Sequence, residues 1–114
     1  MFWNRTKYPN DADGDALRRI AKDKSTDLSR PMLVDIFVMS YNRASAEAVA
    51  TEARQIGYDC KVDKDDDEDT WTTTCSKAMM LTYDSIVAAQ KQLDDLSAPY
   101  DARTDGWGTF GNVE

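Results

Sequence analysis

The first sustained rhythm of apolar residues follows Asp13-Gly14-Asp15, where Leu17, Ile20 and Ala21 fall on one side of a helix. The two carboxylates sit where an N-cap and first turn favour negative charge. The spacing therefore predicts a helix of about three turns, ending near Lys24. A polar connection then closes with Pro31, which cannot continue a helix but suits the first position of a strand. Residues 32–39, MLVDIFVM, are apolar at nearly every position and rich in branched and aromatic side chains, the pattern of a central strand. Helical spacing returns with Ala46, Val49, Ala50, Ala53 and Ile56, capped by Asn42 or Ser45 and stopped by Gly57. Tyr58, Cys60 and Val62 alternate with Asp59, Lys61 and Asp63, and residues 70–75, TWTTTC, resume strand composition. The two segments read as a hairpin with residues 65–69 at its tip. Thr82 caps a last helix with a stripe of Tyr83, Ile86, Val87, Ala89, Leu93 and Leu96, ended by Pro99. Residues 100–110 make a closing strand in which Gly106 and Gly108 predict a bend or bulge.

This order predicts an α+β fold, a ferredoxin-like βαββαβ sandwich with an additional N-terminal helix and two helices on one face of the sheet. A chain of 114 residues fits one core of this size. We expect residues 1–12 to be an N-terminal extension, with Phe2, Trp3 and Tyr8 packed down as a strap, and residues 13–114 to be a single domain.

Charge narrows the function classes. Fourteen basic and twenty-one acidic side chains leave a net charge of −7, which repels a phosphate backbone and argues against direct nucleic-acid binding. The absence of histidine removes the commonest general base and metal ligand, and with them the Ser-His-Asp and Cys-His nucleophiles. No catalytic residue, cofactor or metal site is assigned, and the protein is not expected to be an enzyme. Cys60 and Cys75 are too few for a disulfide framework or a four-thiolate zinc site, so a reducing cytoplasm is expected. Residues 1–10 lack an apolar signal-peptide core, and Asp35 interrupts the longest apolar run, so neither a signal peptide nor a membrane span is expected.

Two aspartate-rich stretches resemble calcium loops without meeting their requirements. The series from Asp11 has Ala16 and Lys22 where glycine and glutamate are needed, and the series from Asp63 has Glu68 and Thr74. The first reads as helix capping and the second as a solvated hairpin tip. A hairpin symmetric about the midpoint of Asp67 and Glu68 pairs residues 60 with 75, 62 with 73 and 64 with 71, setting the two thiols side by side. Strain in adjacent-strand disulfides and a reducing compartment argue that both thiols are free.

Two segments are candidates for partner binding. Asp65, Asp66, Asp67, Glu68 and Asp69 are the densest negative charge in the chain, suited to a strongly basic partner. Asp105, Gly106, Trp107 and Gly108 flank one large aromatic with glycines, which aims it either into the core or outward as an anchor.

The segment Met80-Leu81-Thr82-Tyr83-Asp84, the helix that follows and the stretch Asp105-Gly106-Trp107-Gly108-Thr109-Phe110-Gly111-Asn112 resemble the C-terminal half of the RraB family, regulators of ribonuclease activity B. Asp13-Gly14-Asp15-Ala16-Leu17, the strand after Pro31 and the helix ending Ile56-Gly57-Tyr58 are similar to that family's N-terminal half. The resemblance spans residues 10–112. It implies a ferredoxin-like sandwich that acts without catalysis, binding the scaffold region of ribonuclease E and restraining RNA decay. The chain departs from the family form in ending at Glu114 without a long acidic tail and in carrying residues 1–8 with Trp3. An acidic immunity-type antagonist of a toxin nuclease is the alternative that the charge also fits, and an enzyme or small-ligand module using Asp and Tyr side chains in a sheet-face pocket is a third, which the missing histidines disfavour.

Overall fold

The computed structural model describes residues 12–21, 29–66 and 68–112. The expected strap over residues 1–11 and the expected end of the first helix beyond residue 21 lie outside the described residues. The element order is α1 (Ala12–Ala21), β1 (Met32–Ser40), α2 (Arg43–Gln55), β2 (Asp59–Lys64), β3 (Trp71–Met79), α3 (Tyr83–Ser97), a 3-10 turn (Ala98–Tyr100) and β4 (Arg103–Asn112). The four strands form one antiparallel sheet in the order β2-β3-β1-β4. This is the ferredoxin-like sandwich with an added N-terminal helix.

β1 is central because its sequence lets one face be wholly dry. Met32, Val34, Ile36, Val38 and Ser40 are 0% exposed and face the helices. Against them α2 sets Val49 and Ala53, α3 sets Ile86, Ala89 and Leu93, and α1 contributes Leu17, which is also in the core. Two hydroxyls inside this layer are satisfied locally, Thr73 donating to the Ala46 carbonyl at 3.1 Å and Ser97 to the Leu93 carbonyl at 2.6 Å, whereas the buried Ser40 hydroxyl has no hydrogen-bond partner among the described residues.

The helix boundaries follow the expected caps. The Asn42 side chain accepts from Ser45 N–H at 2.8 Å. At the other end of α2, Gly57 adopts φ 101°, a left-handed conformation in which a side chain would be strained. Thr82 and Ser85 form a reciprocal capping box at the start of α3. The symmetric hairpin is in register as expected, with Cys60 opposite Cys75, Val62 opposite Thr73 and Lys64 opposite Trp71.

Three local expectations are corrected. Val87 is 37% exposed rather than buried, because it lies about 100° around the helix from Ile86 and off the line through Ala89 and Leu93. β3 runs through Ser76, Lys77 and Ala78 to Met79, because the first half of β1 pairs with these poor strand formers. The closing strand begins at Arg103, since Pro99 and Tyr100 lie in the 3-10 turn, where the missing N–H of proline leaves no helical bond unmade. The predicted bulge is present: between the Ile36–Trp107 and Val38–Thr104 pairs, Asp105 and Gly106 together oppose Phe37, with Gly106 at φ 103°.

Leu93→Ala is expected to destabilise the protein by about 2–5 kcal/mol in urea unfolding, the range for emptying a buried leucine site. Val87→Ala should change it by no more than about 0.5 kcal/mol, as a substitution on a solvated flank.

Candidate functional site

The hairpin tip is held by its own polar groups. Asp65 accepts hydrogen bonds from the Thr70 and Thr72 hydroxyls, both at 2.6 Å, and its N–H donates to the Thr70 carbonyl at 3.0 Å. These two hydroxyls hold the Asp65 carboxyl below the usual carboxylate range. Lys64 Nζ donates to the Glu68 carbonyl at 3.1 Å, closing the turn from the other side. Asp66, Glu68 and Asp69 are exposed and present the charge to solvent, while Asp67 lies outside the described residues.

The glycine-flanked segment sits on β4, at the opposite edge of the sheet from β2. The two candidate segments therefore do not converge on one cluster. Trp107 pairs with Ile36 on the helix-bearing face, packs part-buried against the core and donates its indole N–H to Asp13 Oδ1 at 2.9 Å. Gln90 Nε2 donates to the other oxygen of the same carboxylate at 3.1 Å. One acidic side chain in the first turn of α1 thus ties that helix to β4 and to α3. Asp105 and Gly106 are exposed at the bulge, and Gly108 pairs with Asp35.

Sequence reasoning placed Asp13 only as a helix-start charge, since nothing in a linear pattern shows a carboxylate reaching an indole 94 positions away. It also passed over Asp35 as an interruption of an apolar run. That interruption was itself the signal: Asp35 is buried, mid-strand on the face away from the helices, and accepts from Ser76 Oγ.

Cys60 and Cys75 are free thiols whose sulfurs lie 3.7 Å apart. Burial pushes the Cys75 thiol far above the ordinary thiol range and Cys60 upward in the same direction. An open groove of about 580 Å³ lies between β3 and α3. Its lining includes Tyr58, Met79 and two lysines: Lys77 lies over the Tyr58 ring at 5.1 Å, and Lys91 pairs with Asp95 at 2.9 Å. Among the described residues no helix is long and apolar enough to cross a membrane.

Fold and surface together define a small α+β sandwich with an acidic hairpin at one edge and a glycine-bulged strand at the other. The sequence profile of the family described as Regulator of ribonuclease activity B matches residues 10–109, and the chain belongs to that family. A search among curated proteins found no match.

Trp107→Phe and Asp13→Ala should each cost about 1 kcal/mol, the scale of one partly exposed hydrogen bond. Because both remove the same bond, the double variant should cost less than their sum in urea titrations. The cysteine pair gives a second expectation. The folded state keeps a proton on Cys75 that the unfolded chain gives up near its ordinary thiol pKa of about 8.5, so stability holds below that pH and falls as pH rises above it. Denaturation midpoints at pH 7 and pH 10 measure the fall, which should shrink in Cys75→Ala.

Proposed function

We propose that this protein restrains a ribonuclease of the E type by binding it, without catalysing a reaction of its own. Membership in the family of ribonuclease-activity regulators over residues 10–109 carries the reading. The charge distribution supports it: a net −7 with Asp66, Glu68 and Asp69 exposed at one tip suits the basic, unstructured scaffold segments of such an enzyme. In this reading residues 65–69 attract the partner. The segment Asp105, Gly106, Trp107 and Gly108 supplies contact, with Trp107 bracing the strand from behind through Asp13. The protein acts in the cytoplasm, where Cys60 and Cys75 stay reduced, and does not bind RNA itself.

Binding kinetics against the host's own ribonuclease E scaffold segment test this, with wild type beside a variant carrying Asp66→Asn, Asp67→Asn, Glu68→Gln and Asp69→Asn. Asp65 is left in place because its hydrogen bonds close the turn. The variant should associate on the order of tenfold more slowly at low salt and lose most of its salt dependence, with its urea midpoint unchanged, since exposed steering charges act on the on-rate. Failure of the wild type to bind would reject the ribonuclease partner, and equal salt-dependent association by both proteins would reject the tip. In the same assay generic RNA at about 150 mM salt should give no binding tighter than the non-specific range of roughly 10⁻⁴–10⁻⁶ M.

A further inference from the structure

All three helices lie on one side of the sheet, and no described element covers the other. At the centre of that open face stands Asp35, a carboxylate in the middle strand that is only 7% exposed. Among the described residues its carboxylate has one hydrogen-bonding partner, the Ser76 hydroxyl at 2.5 Å, and no cation within ion-pair distance. The β4 residue in register with it is Gly108, where a Cβ would meet nothing within 4 Å. Among the described residues, the position that a Gly108 side chain would start to fill is therefore left open beside the carboxylate. On the same face Leu33, 38% exposed, precedes Asp35 along β1, and half-buried Phe37 follows it. Across β3, Asp59 pairs with Ser76 and adds a second negative charge to the same row.

A carboxylate held nine-tenths out of water with a single hydroxyl partner is costly alone and gains most from a cation that brings its own donors. The gap over Gly108 admits a guanidinium or ammonium group, and Phe37 offers an apolar surface for the methylene stem of such a side chain. A phosphate backbone would meet a carboxylate at the centre of this face, which disfavours nucleic acid as the occupant.

We propose that the helix-free face of the sheet is the docking surface for a basic segment of a protein partner, which lays an arginine or lysine over Gly108 to pair with Asp35. This rests on the ribonuclease-binding reading for the partner's identity, and it adds the surface and the recognition chemistry.

The probe is a fluorescein-labelled peptide of alternating arginine and leucine, beside the same peptide with citrulline in place of arginine, titrated into the full chain by anisotropy and by amide NMR. The arginine peptide should bind, shift the amides of β1 and β4, and lose at least about tenfold in affinity to Asp35→Asn and to Gly108→Val, while the citrulline peptide should not bind. A Cβ at Gly108 meets nothing within 4 Å, so Gly108→Ala and the near-isosteric Asp35→Asn keep the test decisive should the valine variant fold poorly. Equal binding by wild type and variants, shifts confined to the hairpin tip, or no binding of the arginine peptide would each overturn the proposal. The host's ribonuclease E scaffold segment separates the two readings. If it binds the Asp35 and Gly108 variants as it binds wild type, the face is rejected and the ribonuclease partner kept. If it does not bind while the arginine peptide does, the ribonuclease partner is rejected and the face kept.

Discussion

The structure depends on a register constraint in β1. This strand is paired along its whole length with β3 and over most of it with β4, and its alternate residues divide between a dry face and an open one. Because side chains alternate with a period of two, sliding it by a single residue would put Asp35 and Phe37 under the helices and expel Val34 and Ile36. Every helix is placed by that choice: α2 and α3 pack on the even-numbered residues, and α1 is then fixed against α3 and β4 through Asp13. The same choice sets the chemistry of the opposite face, where the odd-numbered residues of β1 set one buried acid among Leu33, Phe37 and Met39, beside Thr74 and Ser76 of β3.

Much of this was legible before any coordinates. The apolar run of residues 32–39 identified the middle strand, the Ala46 to Ile56 spacing identified α2, and the symmetry of the acidic turn fixed the Cys60–Cys75 pairing, because each of these patterns follows from the local geometry of one element. The glycine at 106 announced the bulge, since few other residues tolerate its backbone. What escaped was set by tertiary partners. β3 extends through residues with little preference for a strand because β1 continues beside it, and Val87 faces water because the helix turns it off the buried line. The Asp13 bond to Trp107 joins the two ends of the domain and has no local signature.

The candidate site was legible in its charge and not in its arrangement. Counting acidic residues located the tip, but not that Asp65 is engaged by Thr70 and Thr72 while Asp66, Glu68 and Asp69 are exposed. The pattern Asp105-Gly106-Trp107-Gly108 did not show that its two kinds of residue lie on different faces: Trp107 is anchored towards the helices, and a Cβ at Gly108 would meet nothing within 4 Å. A net acidic chain is thus organised into a stiffened charged turn at one edge and a recessed carboxylate at the centre, with very different solvation around each.

β4 bears its irregularities on an edge. Its pairing with β1 shifts register twice, between Met32 and Val34 and again between Ile36 and Val38. An edge strand is a template on which another chain can add, and continuous addition needs an unbroken row of evenly spaced amides and carbonyls. Two shifts within ten residues interrupt that row, so the glycines that shape this strand also guard the domain against stacking into filaments when it is crowded.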